Sequence, residues 1–235
     1  MKKILVTFLC AASAALLQAD TFNQTITAIY GSGNPDTGWV ADSGNGITLG
    51  LRAKNRDTGA TPNVAGIYTF ATGLSASGTK ARWNYEFSID SGTPTLSTYD
   101  YFLGIDTDPS AGISYTYVDP FAAFNDNSFG NSGTGNGLGF EGPAAGNSLL
   151  ANSNFIVQNS QNIVFLGLSP FLNATYNYDL FAVAKGEGVG GAHLADVAMT
   201  VVVGSGGAAV PESGSSVILL GAGLAALGLL RRKAA

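Results

Sequence analysis

Residues 81–90 read ARWNYEFSID. Trp83, Tyr85, Phe87 and Ile89 alternate with Arg82, Asn84, Glu86 and Ser88, so apolar and polar side chains fall on opposite sides of an extended chain. A period of two with one apolar face predicts a half-buried antiparallel strand. Residues 99–106, YDYFLGID, repeat the pattern with Tyr99, Tyr101, Leu103 and Ile105. Further strands are predicted in TITAIY (25–30), GITLGLRAK (46–54), GIYTFA (66–71), ISYTYV (113–118), NFIVQN (154–159), NIVFLGL (162–168), NYDLFAVAK (177–185) and ADVAMTVVVG (195–204). Clusters of Gly, Asn, Asp or Pro separate most of these runs, as tight turns require. About ten strands and no convincing helix between residues 20 and 203 predict an all-β domain, a two-sheet β-sandwich. Jelly-roll and Ig-like connectivities both fit. Residues 125–148 are too rich in Gly and Asn for a core strand and are expected as a long surface loop.

The chain of 235 residues fits one domain with tails. Hydrophobic residues at 46% against 11% charged supply a core and exclude wholesale disorder. The formal charge of −5 hides a more acidic centre. Between Asp20 and Val210 the only cations are Arg52, Lys54, Arg56, Lys80, Arg82 and Lys185, six against fifteen acids, for a net of −9. Such a surface is expected to repel nucleic acid and anionic lipid, which excludes a nucleic-acid partner. Cys10 is the single cysteine and lies in the N-terminal apolar run, so the body has no disulfide framework and no thiol nucleophile. Bulky Leu9 before Cys10 argues against a lipoprotein signal.

Both ends read as signals outside the domain. Residues 1–19 place Lys2 and Lys3 before an apolar stretch and small residues, the layout of a secretory signal peptide removed after Ala19. The protein is therefore expected to be exported. At the other end, 204–209 reads as a flexible tether leading to VPESGSSVILLGAGLAALGLLRRKAA, residues 210–235. Residues 217–230 are uncharged and hydrophobic all round, about 21 Å long as a helix at ~1.5 Å per residue. That is short of the roughly 20 residues a bilayer span takes, so the run predicts a marginal single membrane helix. Arg231, Arg232 and Lys233 would hold its end in the cytoplasm.

The Pro211-Glu212 start, the apolar run and the Arg231-Arg232 end resemble the PEP-CTERM sorting signal of bacterial exported proteins. Val210, Pro211, Glu212, Ser213 and Gly214 are most similar to its VPDSG variant, with Glu212 in place of Asp. The resemblance implies recognition by an exosortase, an integral-membrane cysteine transpeptidase, and a destination at the cell surface or in an exopolysaccharide matrix. It also implies a transient anchor in the inner membrane. The body is similar to uncharacterised domains that accompany this signal, through GITLGLRAKNR, GIYTF, RWNYEFSID, YFLGIDTDPSAG and LADVAMTVVVG. No activity comes with that similarity.

Candidate chemistry in the body is sparse. His193 is the single histidine, and no GxSxG elbow supplies a nucleophile for it, so it reads as a polar residue at a strand start. A glycosidase would need two carboxyls across a sugar site, and nothing in the sequence nominates a pair. Trp39, Trp83 and the tyrosines have the rings to stack on sugars, although aromatics on alternating strands usually build the core. In DTDPSAG, Asp106, Asp108 and Ser110 place oxygens at alternate positions, as a Ca²⁺ loop does, but Tyr117 stands where such a loop needs Glu. The expectation is a non-enzymatic, exosortase-sorted surface or matrix protein with a structural or adhesive role and no required cofactor. The alternative is a displayed carbohydrate-binding or carbohydrate-active module.

Overall fold

The computed structural model describes residues 19–141 and 147–209. Thirteen strands form among them. They are β1 (Thr21–Gln24), β2 (Trp39–Gly44), β3 (Ile47–Asn55), β4 (Asn63–Val64), β5 (Ile67–Phe70), β6 (Trp83–Asp90) and β7 (Tyr99–Asp106), followed by β8 (Tyr115–Val118), β9 (Ser128–Gly130), β10 (Phe140–Glu141), β11 (Ile156–Asn162), β12 (Ala174–Ala184) and β13 (Ala195–Val203). Helix is confined to short turns, among them α1 (Pro120–Ala123) and α2 (Asn147–Ala151). The strands make two sheets, β1-β2-β3-β6-β11-β9-β10 (sheet A) and β4-β5-β13-β12-β7-β8 (sheet B), so the all-β two-sheet sandwich stands. Every pairing is antiparallel except that of β13 with β5.

The alternating residues meet between the sheets. From sheet A, Leu49, Leu51, Trp83, Tyr85, Phe87 and Ile89 point inward to Tyr176, Tyr178, Leu180, Val197 and Val201 of sheet B. Trp83 stacks on Phe70 at 5.8 Å and meets Tyr178 edge-on at 6.5 Å, while Tyr85 stacks on Tyr178 at 4.7 Å. Each such ring contributes roughly 1.5–3 kcal/mol by leaving water. Trp39 and Trp83 are both buried, so neither is available to stack on a sugar.

The polar face of β6 departs from expectation. Asn84, Glu86 and Ser88 should face water in a half-buried strand, yet all three are buried. The cover comes from residues 25–38. TITAIY does not form a strand there; Ile26 N–H donates to Asp36 O, Ala28 N–H to Asp36 Oδ1, and Ile29 N–H to Gln158 Oε1. Its apolar residues pack outside sheet A, with Ile26, Ala28 and Tyr30 gathered on Trp39. Alternation was present, but Asp36, Gln158 and the loop at residues 137–139 take up its backbone groups, so no strand ladder forms.

Beneath this cover sits a buried charge cluster. Arg52 and Glu86 are direct cross-strand partners on β3 and β6, and Arg52 Nε donates to Glu86 Oε2 at 2.6 Å. Lys54 reaches Glu86 Oε1 at 2.8 Å, and Ser160 Oγ donates to the same oxygen at 2.9 Å. The remaining guanidinium donors go to Pro35 O, Thr37 O and Tyr30 Oη, all in the covering segment. The guanidinium also lies 4.1 Å from the Trp39 ring centroid. Burial works against the Arg52 charge, but Glu86 and Tyr30 outweigh it and raise its pKa. The ion pair thus doubles as the fastener for residues 25–38.

Two further segments differ from the sequence reading. Residues 125–148, expected as one long surface loop, include β9 and β10 paired with each other, and Phe129 is buried in the core. Gly130 lies against the Thr134 side chain, so the glycines there allow a tight return and do not mark exposure. NIVFLGL turns into a 3-10 segment at Ile163–Leu166 after β11, ended by Gly167 at φ 75°.

Candidate functional site

The Asp106–Gly112 segment follows β7 as a chain of side-chain-capped turns. Asp108 N–H donates to Asp106 Oδ1, Ser110 N–H to Asp108 Oδ1, and Gly112 N–H to Ser110 Oγ. Asp106 is buried, and its second oxygen accepts from Asn177 at 3.2 Å. The three candidate Ca²⁺ oxygens are therefore each engaged with a backbone donor two residues on, the geometry of polar turns. Among the described residues no group of three or more His, Cys, Asp or Glu is arranged to hold a metal.

A second constellation lies on the outward face of sheet B, where the sequence singled out only His193. Strand alternation sends Asp179 and Phe181 of β12 and Asp196 of β13 to this face, with Phe102 of β7 and Tyr115 and Tyr117 of β8. Tyr117 Oη donates to Asp179 Oδ2 at 2.9 Å, and Asp196 stands diagonally across the β12–β13 pairing from Asp179. His193 Nδ1 is 2.5 Å from the other side of that pair, Asp196 Oδ2, and its ring lies flat on Phe181 at 3.9 Å. Gly104 makes room for the tyrosines: a Cβ there would meet Tyr117 at 2.7 Å and Tyr115 at 3.2 Å. Tyr115 and Tyr117 remain half-buried and Phe181 is sealed beneath His193.

Electrostatics follow from that crowding. Burial first, then the nearby Asp196 charge, pushes the Asp179 carboxyl up to about 6. Burial and the hydrogen bond to Asp179 push Tyr117 up to about 12. The acids continue across to sheet A. Asp42 Oδ2 accepts from Asp196 N–H and Asp20 Oδ2 from Ala198 N–H, covering donors on the half of β13 that β5 does not reach. His193 Nδ1 meets Asp196, and its ring face lies on Phe181. The alternation of NYDLFAVAK could have placed Asp179 outward, but its nearness to Asp196 needed the β12–β13 register, with Phe181 opposite Asp196.

The chain leaves the sandwich in a defined place. Expected as a flexible tether, Gly204–Ala208 is hydrogen-bonded along its length. Gly204 N–H donates to Phe70 O, Ser205 N–H to Asn173 Oδ1, and Gly207 N–H to Thr175 Oγ1, while Ala208 O accepts from Ala111 N–H. Glycine suits this close path, since a Cβ on Gly207 would meet Pro109 O at 2.2 Å. The candidate sorting residues Val210, Pro211, Glu212, Ser213 and Gly214, the basic cluster Arg231, Arg232 and Lys233, the 217–230 membrane helix and residues 1–18 of the signal peptide lie outside the described residues.

No curated protein and no solved structure matches the chain. Residues 209–234 match the VPDSG-CTERM motif. That match begins one residue after the last hydrogen bond of the body, and it covers Pro211, the apolar run and the basic cluster. The chain is thus an all-β sandwich carrying a PEP-CTERM-type sorting signal of the VPDSG kind, which implies export, exosortase-type processing and targeting to the envelope or surface.

Proposed function

We propose that the protein is a non-enzymatic component of the cell surface or extracellular matrix, with a structural or adhesive role, delivered there through transient anchoring in the inner membrane. The match of residues 209–234 to the sorting motif carries this reading. The body supports it: Arg52, Lys54 and Glu86 close the cover of sheet A, and Asp20 and Asp42 cap β13. Exopolysaccharide is the proposed surrounding partner, and neither Ca²⁺ nor another cofactor is required. Mass spectrometry of both ends of the exported protein, in cells with and without the exosortase, tests it. The expected result is a start at Asp20 and an enzyme-dependent loss of mass at the C-terminus. An end at Ala235 and unchanged location in both cells would remove the reading.

One observation favours a second reading, a carbohydrate-binding module. Tyr115 and Tyr117 lie over Gly104 on an open sheet face beside the Asp179 carboxyl, pairing ring surface with a hydroxyl acceptor. A glycan array with the exported protein and its Tyr117→Ala variant separates the two. Binding lost in the variant would favour this reading over the first.

A further inference from the structure

The pole of the sandwich from which residue 209 departs differs from the rest of the body in both charge and exposed apolar surface. Its loops are tied to one another: Gly73 N–H donates to Pro170 O, Arg82 Nε to Thr72 O, Thr175 N–H to Pro109 O, and Ala111 N–H to Ala208 O. Ile113, Phe165, Phe171 and Leu172 stand exposed on these loops, at 65%, 61%, 66% and 49%. Of the six body cations, Arg52 and Lys54 are committed to Glu86 and Lys185 to Asp100. Arg56, Lys80 and Arg82 make no ion pair among the described residues, and all three belong to this pole. Arg56 N–H donates to Arg82 O, and Lys80 Nζ sits 3.8 Å over the Phe165 ring. Against them stand exposed Asp57 and Asp108, with Asp106 buried beneath the loop, so the solvent-facing groups of this pole carry one positive charge in excess in a body that is otherwise strongly acidic.

We propose that this pole is a membrane-docking surface that seats on an anionic phospholipid bilayer while the protein is held there by its C-terminal segment. The proposal rests on the reading of residues 217–230 as a membrane anchor. Three observations choose the occupant. Among the described residues the last hydrogen bond of the body is at Ala208, eight residues before the apolar run starts at Val217, so the pole stays near the headgroups. Cations with apolar side chains among them suit a headgroup boundary, where each cation near an anionic surface strengthens binding by about fivefold. The fourteen-residue apolar run is short for a stable span, and a second attachment supplements a marginal anchor. The acidic surface elsewhere would keep the body from lying on its side.

Residues 20–235, which contain the whole sandwich and no cysteine, allow a direct test. A single environment-sensitive label is placed at Ser169→Cys on this pole or at Val189→Cys on the far one. The protein is mixed with vesicles of phosphatidylcholine alone or with about a third phosphatidylglycerol, and flotation reports the anchor separately. The expected result is a blue shift at residue 169 but not at 189, larger on anionic vesicles. It should be lost in Lys80→Glu/Arg82→Glu and, for the unaltered pole, at salt near 1 M where screening is short-ranged. Protein that floats while the label at 169 stays aqueous would overturn the docking surface and leave the anchor standing. Protein that does not float would overturn both. A shift that survives charge reversal and salt would overturn the anionic-lipid assignment.

Discussion

The two sheets treat their outward faces in opposite ways. On sheet A the polar side of β6 is covered by residues 25–38, and Glu86 is fully buried between Arg52 and Lys54. On sheet B Asp179 is also buried, while Asp196, Tyr117 and His193 beside it are partly exposed. Sheet A places opposite charges together out of solvent and satisfies them through seven hydrogen-bonding or ionic contacts from three elements and a loop. Sheet B places like charges together, one buried and one at the edge of solvent. Buried opposite charges fasten a segment; a buried acid beside a like charge stores a dependence on pH.

The largest expected effect breaks the covered side. Glu86→Ala leaves Arg52 and Lys54 without their counter-charge in a dry site, and should lower stability by about 3–5 kcal/mol in urea unfolding. Loss of less than about 1 kcal/mol would mean that water reaches the cluster and that residues 25–38 do not seal it. The accompanying signature is faster proteolysis within residues 25–38, since Arg52 holds that segment through Pro35 O and Thr37 O.

A smaller effect sharpens the open side. Asp179 has a folded-state pKa raised to about 6 from the usual carboxylate range, so the folded protein holds a proton that the unfolded chain gives up. Its contribution is fully present below about pH 4 and is lost as pH rises through about 6. Stability should therefore fall by roughly 1 kcal/mol across that window, a figure reduced because solvent reaches the neighbouring Asp196. Asp179→Asn should flatten that slope and gain over the wild type at pH 7, as thermal melts at pH 4 and 7 would show. An unchanged slope would separate Asp179 from Asp196.

The smallest effect belongs to His193. Its ion pair with Asp196 is exposed on both sides, so His193→Ala should change stability by no more than about 0.5 kcal/mol while uncovering Phe181. A loss several times larger would make the ring a packing element of the core.

Legibility followed the range of the interactions. ARWNYEFSID and YDYFLGID gave their strands and inward faces directly, because pleat alternation is local and both runs supply one aromatic or aliphatic side chain every second residue. TITAIY has the same alternation and no strand, because its backbone groups go to distant side chains and a loop, which no local pattern records. Phe129 was hidden among Gly and Asn, whose turn chemistry was plain while their pairing across β9 and β10 was not. For the candidate sites, the sorting signal was legible since its three parts are contiguous. The placement of Asp179 diagonal to Asp196 was not, as it depends on β12–β13 register.

What the sequence determined by itself was the destination and the material of the fold: a contiguous signal at residues 209–234 and a set of alternating strands with enough rings to build a core. Only the tertiary structure decided what covers each polar residue. Glu86 and Asp179 are both acids at outward positions of alternating strands, indistinguishable by local pattern. Both are buried, Glu86 under a segment contributed from some fifty residues earlier and Asp179 beside the hydroxyl of Tyr117 on its own sheet, and burial depends on what packs above a residue.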